Sequence, residues 1–302
     1  MSIKKMSEST LTDSGRYSDM SMGEVGWGAA TGGTEVTNAG YKYHTFTSDG
    51  TLTVTQGGKF DCLIVAGGGG GGSSSADGGG AGGVVATCSV FEAGAVSVDV
   101  GSGGTGGFGR NVFTSHSVAQ GHMGYPSIIG ELYAVGGGGG GQTGEGGSGG
   151  ANGGKSINYV VDGGFSSGKV DTETHLGFDG GTTAGGGAGE AGETDGSRHG
   201  GDGTDAFSAD LAVSTSTGVN DGTGTYYYAG GGGGSTVTAN GPGGLGGGGN
   251  GGYTSGENDN LSPTAGVANS GGGGGAGFSG YENRIIGGAN GGSGLVIVRY
   301  EV

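Results

Sequence analysis

The chain has five histidines, His44, His116, His122, His175 and His199, and these are its groups best suited to proton transfer or metal ligation. Only His116 and His122 lie near each other, and no cysteine accompanies them. Glu190, Glu193, Asp195 and Asp202 form an acidic stretch. Paired carboxylates for hydrolysis need a set separation that sequence does not supply, so solvated side chains are the plainer reading. Gly200–Phe207 fits the calcium-binding nonapeptide pattern once, but such sites are shared between stacked copies and no second good copy follows. Gly275-Ala276-Gly277-Phe278-Ser279-Gly280 spells a dinucleotide fingerprint. It follows glycine rather than a strand, and no βαβ unit surrounds it, so chance in a glycine-rich chain accounts for it. The expectation is a non-enzymatic protein with no cofactor and no metal.

What remains is the chemistry of surfaces. His116, His122, Tyr125, Phe165, Phe178 and Tyr253 lie in polar inserts between glycine clusters. Aromatic rings in such loops suit a sugar ring or a protein surface, giving much contact area at low ordering cost. The alternative is that they cap the open ends of whatever the glycine builds. Tyr226-Tyr227-Tyr228 directly precedes a glycine run and reads as strand core and edge.

The elements that must position these side chains are unusual. Glycine fills 90 of 302 positions, with uninterrupted runs at Gly67–Gly72, Gly136–Gly141, Gly230–Gly234 and Gly271–Gly275. Glycine loses the most backbone freedom on folding and offers no side chain to bury. A loose linker is disfavoured because strand-like sequence adjoins the runs: Cys62–Ala66, Leu132–Val135 and Tyr226–Ala229. Collagen needs glycine at every third position with abundant proline, and the chain has 3 prolines. Ordered glycine then implies polyglycine type II helices, three residues per turn, stacked side by side and joined by backbone bonds between helices. Such a stack places connecting loops at its ends, a scaffold for binding.

Strand patterns bracket this region. Tyr41, Tyr43, Thr45 and Thr47 alternate with Lys42, His44, Phe46 and Ser48; Thr51–Thr55 alternates again after a turn, and Lys59–Ala66 follows. Gly83–Thr87, Ser89–Phe91 and Ala95–Val100 form a second group, and Leu295–Tyr300 is the strand that closes the sheet. The expected fold is mainly β, with an antiparallel unit over 41–101 completed by 295–302 and a glycine-helix sandwich over 102–294 bearing end loops. Residues 1–40 read as an extended arm. Cys62 and Cys88 both lie in strand-like sequence and read as small buried hydrophobes, with a disulfide as the alternative. A net charge of −16 disfavours nucleic acid as a partner. No run of about 20 apolar residues exists to insert into a membrane, and the N-terminus lacks the apolar stretch of a Sec-type signal.

Tyr43-His44-Thr45-Phe46-Thr47, Asp49–Val54, and Asp61–Ala66 before polyglycine resemble the glycine-rich domain of bacteriophage tail-fibre and virion appendage proteins. Asn290–Tyr300 resembles the closing signature of that domain, and the resemblance covers about 41–302. More loosely, the chain is similar to the polyglycine-helix tail-fibre adhesins of T-even-type phages, though its inserts do not match theirs. The resemblance implies a virion location and a receptor on a bacterial surface protein or glycan, contacted through the six aromatic and histidine positions above. It implies that residues 1–40 attach to other virion proteins, with Met20, Met22 and Trp27 as candidates. A purely structural or decorative virion protein is the alternative. Oligomeric state stays open between a stack closed within one chain and a homotrimer.

Overall fold

A computed structural model of the protein describes residues 25–73, 77–108, 120–141, 177–181, 183–193, 197–206, 208–235, 241–254, 260–278 and 286–302. The described residues are mainly β. Nine strands precede the larger part of the glycine-rich region: β1 (Ala29–Thr31), β2 (Thr34–Asn38), β3 (Tyr41–Phe46), β4 (Gly50–Gln56), β5 (Gly58–Val65), β6 (Val84–Phe91), β7 (Gly94–Asp99), β8 (Ser127–Ile129) and β9 (Leu132–Ala134). Two small antiparallel pairs follow, β10 (Val219–Asn220) with β11 (Tyr226–Tyr227) and β12 (Tyr253–Thr254) with β13 (Asn260–Leu261). The last strand is β14 (Leu295–Glu301).

Two five-stranded antiparallel sheets pack face to face, in the orders β2-β3-β14-β5-β6 and β1-β4-β7-β8-β9. As expected of the closing strand, β14 lies in a sheet, inserted between β3 and β5, with Val298 opposite both His44 and Cys62. The core between the sheets holds Phe46, Leu52, Val54, Phe60, Ile64, Val98, Ile129, Val296 and Val298. Period-two alternation sends Leu63, Val65, Leu295 and Ile297 to the other face of the first sheet. There they meet Tyr228, Ala229 and the helical segment around Leu211 and Ala212. Burial on both faces is why β5 and β14 read as continuous apolar runs rather than alternating ones.

The helical segment, π-helical over Ser208–Ala212 and α-helical over Val213–Thr215, is tied down by charge. Arg299 reaches Asp61 at 3.1 Å and also pairs with Asp210, while its guanidinium lies over the Tyr41 ring at 4.6 Å. Tyr43 donates its hydroxyl to Asp210 at 3.1 Å.

The sandwich is larger than the sequence implied. Residues 29–38 belong to the sheets and not to an extended arm, since β1 pairs with β4 and β2 with β3. The crossing between the sheets uses Gly32 and Gly33, both at positive φ (119° and 63°), where side chains are strained. The second sheet also takes in β8 and β9. Cys62 is buried and Cys88 exposed, and neither is in a disulfide. Cys88 departs from the buried expectation because β6 is the edge of its sheet.

Glycine segments continue the strands outward. β5 runs into Gly67–Gly72, β7 into 101–108, and β9 into 135–141; the segment 77–83 enters β6, 120–126 enters β8, and 286–294 enters β14. Gly67–Gly72 shows how they cohere. Gly67 and Gly70 donate to Tyr125 and His122, Gly68 and Gly71 to Gly292 and Ala289, and Gly69 and Gly72 to Gly80 and Asp77, at 2.8–3.0 Å. Its carbonyls accept in the same rhythm: Gly137 and Gly140 donate to Gly67 and Gly70, Gly104 and Gly107 to Gly68 and Gly71, and Gly274 and Gly277 to Gly69 and Gly72. The partner changes at each residue and recurs every third. Neighbours therefore surround the segment on all sides, and a Cβ added at Gly69 or Gly71 would overlap the carbonyl oxygen of Gly138 or Gly275.

Candidate binding face

Side chains return where the stack meets solvent. The segment 101–108 bonds inward through Gly104 and Gly107, which donate to Gly68 and Gly71. Ser102, Thr105 and Phe108, three residues apart, are exposed. The segment 120–126 lies antiparallel beside it: His122 N–H donates to Thr105 at 2.8 Å and Tyr125 N–H to Ser102 at 2.9 Å. Gly121 and Gly124 donate to Gly140 and Gly137, which leaves His122, Met123 and Tyr125 outside. The three-residue rhythm thus sets glycine facing inward and side chains outward on both segments.

The result is a flank bearing Phe108, His122, Met123 and Tyr125 with two hydroxyl side chains among them. Phe108 is 73% exposed, Tyr125 62% and Met123 53%. No Asp, Glu, Lys or Arg occurs in 101–108 or 120–126, in a chain of net charge −16. An exposed neutral aromatic strip on a rigid support can stack against flat apolar or CH-rich surfaces at low entropic cost.

Two of the sequence candidates, His122 and Tyr125, are thus brought together, on the side of the stack rather than at an end. Phe178 and Tyr253 are elsewhere. Phe178 is half-buried and donates its N–H to Gly187. Tyr253 is half-buried in β12, and its segment is separated from His122 by 67–72 and 270–277. His116, Phe165, Met20 and Met22 lie outside the described residues. Trp27 packs on the sandwich: it stands edge-on to Tyr41 at 6.1 Å, with the Lys59 ammonium 4.5 Å from its ring centroid. Sequence reasoning missed Ser102, Thr105, Phe108 and Met123. The signal available was the spacing of Ser102, Thr105 and Phe108 at intervals of three within glycine.

The acidic stretch behaves differently. Asp202 accepts the Leu245 N–H at 2.7 Å, completing a backbone bond that the edge of the stack would otherwise lack. Among the described residues, no group of three or more His, Cys, Asp or Glu side chains is placed to hold a metal ion. No helix of the described residues is long and apolar enough to cross a membrane.

No curated protein matches the chain. The sequence profile of one family, the glycine-rich domain, matches residues 44–301, from β3 through the whole stack to β14. The match begins within β3, leaves out β1 and β2, and takes in the glycine segments and β14, and the chain belongs to this glycine-rich domain family.

Proposed function

We propose that the protein is a non-enzymatic recognition module of a bacteriophage virion appendage, which binds a bacterial surface through side chains displayed on a stack of polyglycine type II helices. The helical reading is supported by hydrogen-bond partners that recur every third residue along 67–72. That is the rhythm of a three-residue turn without internal bonds. At about 3.1 Å rise per residue, His122 and Tyr125 would stand ~9 Å apart on one side of their helix. The virion assignment rests on the resemblance of 41–66 and 290–300 to phage appendage sequences.

The observation that carries the recognition role is the flank formed by 101–108 and 120–126. Phe108 and Tyr125 are gathered here, exposed and uncharged, on the surface of the stack, whereas Phe278 is buried within it. The test is binding of the labelled full chain to a panel of bacterial cells. Replacing both Phe108 and Tyr125 by alanine is expected to weaken binding by about 30-fold or more, the scale of a hot spot. Unchanged binding by a folded double variant would overturn the role of this flank. Virions that fail to assemble without the protein, yet adsorb normally when its flank is altered, would point to a structural component instead.

A further inference from the structure

The free edges of the two sheets are not alike. β1 and β9 have three residues each, and β1 carries a register shift between Ala29 and Ala30. β2 carries Glu35, bound to Lys42 at 2.7 Å. β6 has eight residues, pairs with β5 in unbroken register, and contains no charged side chain or proline. Short, irregular or charged edges protect a sheet from pairing with another chain, and a long, flat, neutral edge invites it.

The junction with the stack shows which backbone groups of β6 face outward. Ala66 N–H donates to Gly83 at 3.0 Å, which makes 66 and 83 a bonded pair. Bonded and non-bonded pairs alternate along an antiparallel ladder. Val85, Thr87, Ser89 and Phe91 therefore bond to β5, while Ala86, Cys88 and Val90 turn N–H and C=O away from it. Among the described residues, no backbone bond from outside the sheet reaches these three. All three are exposed, Val90 by 45%.

We propose that β6 is the seam of a two-fold symmetric dimer, pairing antiparallel with β6 of a second copy about Cys88 and joining two five-stranded sheets into one. Centred there, Cys88 faces its own equivalent and Ala86 faces Val90, so outward groups meet outward groups. On one sheet face small Ala86 lies against branched Val90; on the other Thr87 lies against Ser89, a hydroxyl pair of the kind that supports cross-strand contact. Sliding the register toward Val84 would enlist a residue that is only 7% exposed. Copies carrying −16 repel each other, and β6 itself adds no charge to that repulsion. The same neutrality gives the edge nothing with which to select a charged peptide, so the second copy is the occupant it fits. An isologous contact of this kind closes at two copies.

Sedimentation equilibrium on the full chain tests this. The expected mass is twice that of the chain, and the Cys88→Lys and Val90→Lys variants, which set like charges across the axis, are expected to sediment as monomers that keep the wild-type circular dichroism spectrum and melt no lower than the dilute, dissociated wild type. Copper-phenanthroline oxidation supplies a second measurement. Directly opposed bonded residues have Cα atoms about 5.5 Å apart, within disulfide range. The dimer is therefore expected to become covalently linked, whereas Cys88→Ser stays dimeric and unlinked. A wild-type monomer or trimer, or a dimer that survives both lysine variants, overturns the proposal.

Discussion

β5 and the segment Gly67–Gly72 follow one another across Ala66, are both largely buried, and are held by opposite means. Cys62 and Ile64 send side chains into the core between the sheets, and Leu63 and Val65 into the core beneath the first sheet. Their neighbours are specified by shape and apolar area. Gly67–Gly72 contributes no side chain, and its neighbours are specified by backbone donors and acceptors that change partner at every residue. Each such bond adds about 0.5–1.5 kcal/mol net, against a glycine entropy cost of similar size. The stack therefore gains from being threaded through strands that the sandwich has already aligned. The two regions should respond to substitution in opposite senses: the sandwich suffers when atoms are removed, the stack when they are added.

The sharpest way to break this contrast is Gly69→Ala. The new methyl group would overlap the carbonyl of Gly138, and the obstacle is backbone that cannot rotate away. The effect should exceed the about 1–3 kcal/mol of ordinary overpacking. Amide protection across 67–72 and 137–140 is expected to disappear, read by hydrogen exchange. Gly26→Ala is the matched control: nothing lies within 4 Å of a Cβ there, and its effect should stay within about 0.5 kcal/mol. Retained protection in the Gly69 variant would mean the segments are not in mutual contact.

Leu63→Ala probes the other side. Leu63 is fully buried, and truncation should cost about 2–5 kcal/mol in chemical denaturation. If the stack depends on the sandwich, both should unfold in one transition at the lower denaturant concentration. Separate transitions would show that the stack stands alone.

Ser127→Ala acts where the two regions meet. The buried Ser127 hydroxyl donates to the Val65 carbonyl at 2.7 Å and accepts the Gly101 N–H at 2.9 Å. It thus links the end of β5 to the start of the segment 101–108. Removing it leaves the Gly101 N–H without its acceptor and takes one donor from the Val65 carbonyl, an expected loss of about 1–3 kcal/mol, measured as a lowered melting temperature. A change confined to the segment 101–108 would show the joint to be local.

The sandwich was legible because its strands announce themselves: 41–65 alternates or runs apolar, and β14 is an apolar run at the far end of the glycine. β1 and β2 were missed because Ala29–Thr31 and Thr34–Asn38 are short, and the latter polar, so their pairing is fixed by a glycine corner and not by a hydrophobic pattern. That glycine runs are ordered by backbone contact follows from their length; which segments adjoin does not, since identical glycines carry no address. The interval of three in Ser102, Thr105 and Phe108 was the local trace of a surface position. Pairing of that segment with 120–126 depends on bonds between residues with no mutual sequence signal.

The smallest effect sets a titratable ring buried in the sandwich against the segment Gly67–Gly72, which has no side chain to titrate. His44 is fully buried, stacked on Tyr300 at 5.6 Å, and donates Nδ1–H to the Gly32 carbonyl at 2.7 Å. Its Nε2 has no partner among the described residues. Burial pushes its pKa down; the Gly32 carbonyl and Glu35, whose carboxylate is 3.8 Å away, oppose this, and Lys42 adds to it. The neutral ring in the folded state binds fewer protons than the unfolded ring, so stability rises with pH up to the unfolded value near 6.5 and is lost as pH falls below it. The slope is bounded by one proton, about 1.4 kcal/mol per pH unit. Glu35, held low chiefly by its hydrogen bond to Lys42, adds its own loss only as pH falls below 4.5. Between pH 7.5 and 5 the melting temperature should therefore fall with acid, and the His44→Gln variant should flatten that fall while keeping a donor toward Gly32. Hydrogen exchange at pH 5 should loosen first at the β1–β2 corner that His44 holds. Loosening that began instead within 67–72, where no side chain can take up a proton, would show that the sandwich is not what sets the acid response.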